Sequence, residues 1–106
     1  MAITTAMCAS FKSELLGGIH DLDTHTIKLA LIKSSPSSSY GAATTNYSNV
    51  TDNSDEATGT NYTAGGQGLN SASISLAGTT AIVDFADEVF PDVTTSTDGC
   101  IIYNAS

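Results

Sequence analysis

The sequence predicts a mainly β fold, a small antiparallel β-sandwich or open barrel with one N-terminal α-helix. Three observations carry that reading. Apolar and polar residues alternate at the strand period in residues 26–33, 71–76 and 81–87. Turn formers punctuate these runs, notably Gly65, Gly66, Gly68 and Gly78. A helical spacing of apolar residues occurs once, in Met7, Phe11 and Leu15.

The helix comes first, over about residues 5–16. Thr4 and Thr5 precede it and offer hydroxyls to its unpaired amides, while Gly17-Gly18 can adopt the left-handed conformation that ends it. Met7, Phe11 and Leu15 form its apolar stripe, with Cys8 beside them. Phe11 is expected in the core, where truncation of a buried ring to Ala typically costs about 3–5 kcal/mol. Residues 26–33 then form a strand with Ile27, Leu29 and Leu31 on one face and Lys28, Ala30 and Ile32 on the other.

From about 34 to 68 the chain turns to Ser, Thr, Asn, Gly and Asp with scattered tyrosines and no sustained period. A loop that long inside a small domain is either an exposed functional loop or is ordered by a neighbouring subunit. Tyr40, Tyr47 and Tyr62 are its expected exposed contact residues. A hairpin about Gly78 follows, then a bend fixed by Pro91, then a last strand over 99–104. That strand, through Cys100, Ile101, Ile102 and Tyr103, is expected to present an open edge to another subunit.

Length and composition bound the function. A chain of 106 residues is one domain, residues 1–106, able to bury roughly two thirds of the surface its unfolded form exposes. It carries a net charge of −8, with Lys12, Lys28 and Lys33 as its cations and no arginine. Nucleic acid and anionic membranes are therefore excluded as partners, since both are held by Lys and Arg. No apolar run reaches the length of a membrane span, and the N-terminus has no basic region before an apolar core, so no secretory signal is expected. Cys8 and Cys100 make neither a disulfide framework nor a metal knuckle and are expected as reduced thiols. Sequons at Asn46, Asn49, Asn61 and Asn104 are the chance product of a chain more than a quarter Ser and Thr.

No constellation of reactive residues satisfies a catalytic checklist. His20-Asp21-Leu22-Asp23-Thr24-His25 is the one cluster of possible metal ligands, since Asp21, Asp23 and His25 would share a face if extended. Its spacing matches no helix or knuckle site, and it reads as a turn between helix and strand. Asp52-Asn53-Ser54-Asp55-Glu56 lacks the glycine and the final glutamate of a calcium loop. No Gly-x-Ser-x-Gly is present, and Cys8 lies on the apolar stripe, where burial would blunt it. No enzyme activity, cofactor or metal is expected.

Several segments together resemble a family. They are Met1-Ala2-Ile3-Thr4-Thr5-Ala6-Met7-Cys8 with Phe11-Lys12 and Glu14-Leu15-Leu16, then Ile27-Lys28-Leu29-Ala30-Leu31, Tyr62-Thr63-Ala64-Gly65-Gly66, Val83-Asp84-Phe85-Ala86-Asp87 and Gly99-Cys100-Ile101-Ile102-Tyr103-Asn104. In this order they resemble a group of small structural proteins of tailed-bacteriophage virions. The resemblance implies a non-enzymatic component of a phage particle, present in many copies and assembled in the bacterial host cytoplasm. It implies no catalytic or ligand residues. Its expected partners are other virion proteins and copies of itself. A capsid, head-associated or decoration role is favoured, with a tail, neck or fibre component, or a host-surface glycan- or protein-binding module, as alternatives. The relatives continue past the last strand with further β segments where this sequence ends at Ser106, so another polypeptide is expected to cover that strand's edge.

Overall fold

Residues 27–33 are aliphatic apart from Lys28 and Lys33 and form the strand on which the rest is laid. In the computed structural model, which describes residues 3–106, this is β1, Ile27–Lys33. It is the middle of a three-stranded antiparallel sheet, flanked by β2 (Gln67–Leu69) and β5 (Thr97–Asn104). A second antiparallel sheet is the hairpin of β3 (Ser73–Ala77) and β4 (Thr80–Asp84), turning at Gly78-Thr79. The mainly β class is as predicted. The two sheets do not close on each other, because every residue of the hairpin strands is exposed.

The register explains where the core lies. β5 pairs along the whole of β1, with Ala30 opposite Ile101 and Ile32 opposite Gly99, and a bulge lets Asp98 reach back to accept the Ser35 N–H at 2.9 Å. The other flank of β1 is shared by two segments. β2 covers Ile27 to Leu29, and residues 55–57 cover the rest through Lys33 N–H to Asp55 C=O at 2.8 Å and Ala57 N–H to Leu31 C=O at 2.9 Å. Ile32, Tyr40 and Val50 form the buried cluster, with Ile3 and Ile101 packed against it.

The segment 34–68 therefore differs from its expectation as an exposed or neighbour-ordered loop. It supplies Tyr40, Val50, Asp55 and Ala57 to the interior and contains a second short helix, α2 (Ser48–Asp52), that the sequence reading did not include. Asn49 winds this turn, its side-chain oxygen accepting the Thr45 and Asn46 N–H groups at 3.0 and 3.1 Å. Residues 58–61 pair in turn with 92–95, through Thr60 and Thr94, which exchange both backbone hydrogen bonds.

The N-terminal helix α1 is Ala9–Leu16, shorter than the expected 5–16. Residues 3–8 are diverted: Ile3 bridges Tyr40, Thr4 N–H bonds Tyr40 C=O at 2.8 Å, and Ala9 N–H bonds Ala42 C=O at 2.8 Å. Pairing with the 40–42 backbone satisfies these groups as well as a helical turn would, and neither threonine caps the helix. The glycine stop is as expected. Gly18 sits at φ 74°, and Ile19 N–H reaches Glu14 C=O while Gly18 N–H reaches Leu15 C=O, the Schellman pairing. No residue of α1 is buried, so Phe11 is not core; its ring lies half-buried 4.9 Å from that of His20.

Candidate interaction surface

Asp55 and Glu56, adjacent on the segment that edges β1, organise most of the polar interior. Asp55 is fully buried and accepts the N–H of Ser37 at 2.7 Å and of Ser38 at 3.1 Å and the hydroxyl of Tyr40 at 2.5 Å, with Lys33 Nζ 3.6 Å away. Burial alone pushes its carboxyl up, but the hydrogen bonds from Tyr40, Ser37 and Ser38 outweigh it and hold the group well below the usual carboxylate range. Glu56 accepts the Tyr47 hydroxyl, the Tyr62 hydroxyl at 2.6 Å and the Gly65 N–H at 2.7 Å. The Tyr62 oxygen in turn accepts the Leu31 N–H at 3.0 Å.

The fourth tyrosine closes the network. Tyr103 donates to Gly65 C=O at 2.7 Å and stacks on Tyr47, the rings 4.3 Å apart and 5° from parallel. Tyr62 stacks more loosely on Phe90, at 6.0 Å. The expectation that Tyr40, Tyr47 and Tyr62 are exposed loop contacts is thus corrected. Tyr40 is only 7% exposed, Tyr47 and Tyr62 are half-buried, and all three hydroxyls are committed to carboxylates. A lone tyrosine in a polar loop reads as a contact residue; two adjacent acids upstream of Tyr62 were the signal that it had an internal partner.

The 20–25 segment is a turn. Asp21 Oδ1 accepts the N–H of Asp23 at 3.1 Å and of Thr24 at 3.2 Å, and its carboxyl is held low first by Thr24 and then by Asp23. The histidines face Asn104, whose amide nitrogen lies 2.9 Å from His20 Nδ1 and 2.8 Å from His25 Nδ1, while His20 Nε2 meets Glu14 at 3.0 Å. Among the described residues no three His, Cys, Asp or Glu side chains are placed to hold a metal ion. Cys8 and Cys100 are free thiols. Cys8 donates to Gly41 C=O at 3.7 Å, and partial burial pushes the Cys100 thiol up.

What the structure leaves unsatisfied is apolar and lies elsewhere. Among the described residues β5 is an edge strand, with β1 on one flank and no strand on the other. Of the four residues expected to form an intersubunit strand, Ile101 and Tyr103 turn toward the body, while Cys100 and Ile102 are exposed, Ile102 by 55%. The hairpin is amphipathic by register: Ile74 pairs with Val83 and Leu76 with Ala81, one apolar face, yet Leu76 is 74% exposed. Between hairpin, helix and β5 runs an open cleft of about 1640 Å³ whose walls include Met7, Phe11, Ile74, Val83, Cys100 and Ile102. Comparison with family models, with curated proteins and with solved structures finds no match for the chain.

Proposed function

We propose that the chain is a non-enzymatic structural subunit of a tailed-bacteriophage particle, assembling in many copies in the host cytoplasm as a capsid, head-associated or decoration protein. Two lines support this reading. The sequence resembles small virion structural proteins over nearly its whole length. The observation that carries it furthest is the open apolar cleft with its edge strand, because both a strand edge and an apolar sheet face are ordinarily covered in the working state.

Its partners are copies of itself and neighbouring virion proteins. Nucleic acid and membrane fit poorly with a surface carrying −8 and no arginine. The host-surface reading loses its main support, because the tyrosine rings that would contact a glycan are turned inward. A tail, neck or fibre position remains the second reading and predicts a copy number far lower than that of the major shell protein. Quantitative mass spectrometry of gradient-purified particles, with localisation of the chain in a particle reconstruction, tests the proposal. Stoichiometry comparable to the shell protein is expected; a chain found in the lysate but not in particles overturns it.

A further inference from the structure

We infer that the β3–β4 hairpin is an assembly arm that seats on a second copy of this chain, in the cleft beside β5, adding a strand to the β5 edge. The inference rests on the many-copy part of the reading above and names the partner and the surface.

Four observations converge on it. A two-stranded ribbon is at best marginally stable alone in water, yet this one stands largely exposed, Leu76 by 74% and Ile74 by 59%, and is held at its base by Ala86 N–H to Asn70 C=O at 2.9 Å. Its apolar face, Ile74, Leu76, Ala81 and Val83, is covered only in part among the described residues, Val83 to about two thirds and Leu76 to about a quarter. β5 offers what such an arm lacks, an unpaired strand edge with Ile102 exposed beside it. The radius of gyration, 14.3 Å against about 13 Å for a compact chain of this length, shows a molecule less compact than its length requires.

Charge selects the occupant. No charged residue lies between Glu56 and Asp84, and β5 carries only Asp98, already engaged by Ser35 N–H. Two copies at −8 repel, so close approach costs least where charge is sparse: the arm's apolar face carries none, with Asp84 at the base of β4, and the β5 edge carries Asp98 alone, while Glu14 and Asp21 lie elsewhere on the cleft wall. A cationic partner would instead be drawn to the acidic stretch after the arm, Asp84, Asp87, Glu88 and Asp92. Seating the arm satisfies the amides and carbonyls of one β5 flank and buries Leu76 and Ile102 together.

Site-directed crosslinking between distinguishable chains tests this. Donor chains carry Cys8→Ser, Cys100→Ser and, singly, Ser75→Cys or Leu76→Cys; isotopically labelled acceptor chains carry Cys8→Ser and keep Cys100. Under diamide the arm cysteines should form donor–acceptor dimers at least tenfold faster than a control donor with Ser54→Cys, at an exposed position far along the chain. Equal rates overturn the inference. A Leu76→Cys chain that keeps Cys100 and links only within itself also overturns it, showing the arm folded onto its own edge.

Sedimentation provides the second readout. Leu76→Glu and Ile102→Glu, each at an exposed position and checked for unchanged circular dichroism, should each weaken self-association at least tenfold. If the parent associates and neither change affects it, the arm is wrong while the many-copy reading, judged on particle composition, stands. A parent chain that stays monomeric at millimolar concentration overturns the inference irrespective of its presence in particles.

Discussion

Gly66 shows how much a single backbone position constrains this fold. It sits at φ 78°, and a Cβ there would lie 1.8 Å from the Leu29 carbonyl oxygen in β1, a separation no neighbour can relieve because both atoms belong to the backbone. Gly68, two residues on in β2, would present its Cβ to open space. Gly66→Ala should therefore cost at least about 2 kcal/mol, from strain at positive φ plus the displaced strand, while Gly68→Ala changes stability by about 0.5 kcal/mol or less. Urea denaturation of the two variants checks this, and equal midpoints would refute it. The tyrosines make a second prediction at the same scale. All four are held above their ordinary range, each first by burial; Tyr47 and Tyr62 are raised further by Glu56, and Tyr40 by Asp55. The unfolded chain ionises these phenols near 10.0 and the folded chain does not, so their contribution is complete below that pH and is lost as pH rises through the folded values. Absorbance at 295 nm should stay flat through pH 10 and then rise together with loss of structure. Glu56→Gln should bring forward the ionisation of Tyr47 and Tyr62 and leave Tyr40 unmoved. Asp55 works in the opposite sense, its ionised form supporting the fold above the ordinary carboxylate range and failing only in strong acid.

Among the elements, four of the five strands were legible, and β2 and the loop before it were not, for a physical reason. β1, β3, β4 and β5 announce themselves as short runs rich in aliphatic residues between turn formers, with strict apolar–polar alternation in β3. Residues 34–68 lack any period because their order comes from side chains collecting backbone amides: Asp55 takes those of Ser37 and Ser38, Asn49 those of Thr45 and Asn46, Glu56 that of Gly65. Such bonds leave only isolated acids and amides in the sequence, indistinguishable from solvated turn residues. The helix failed in the opposite way. Its stripe is real in sequence, but the surface that would receive it is the open cleft, so the stripe stays partly wet. Energetics should follow burial and not ring size. Val50→Ala, at a fully buried position against Ile32 and Tyr40, is expected to cost about 2–3 kcal/mol. Phe11→Ala, half-buried against His20, should cost about 1 kcal/mol, well short of the figure for a core ring. Thermal melts that reverse this order would show that α1 is docked more firmly than its exposure indicates.

For the whole molecule, the distribution of charge matters more than its sum. Asp55 and Glu56 are consumed inside, and of the other acids only Asp84, at the base of β4, and Asp98, in β5, fall on the hairpin strands or the β5 strand, so a highly acidic chain carries two apolar surfaces of low charge. Association through those surfaces gains from burying Leu76 and Ile102 and is opposed by the long-range repulsion of two −8 bodies. Salt separates the two effects, because the Debye length falls from about 14 Å at 0.05 M to about 4 Å at 0.5 M, screening the repulsion while leaving apolar contact intact. Self-association should therefore tighten as sodium chloride rises over that range, the reverse of a contact made by ion pairs. General salting-out gives the same sign, so the decisive comparison removes charge directly. Asp87→Asn with Asp92→Asn, both exposed on the segment after the arm, should tighten association about two- to fivefold at low salt and hardly at all at high salt. Sedimentation equilibrium at both salt concentrations measures it. A charge-independent affinity at low salt would mean that the copies meet through some surface other than the arm and the β5 edge.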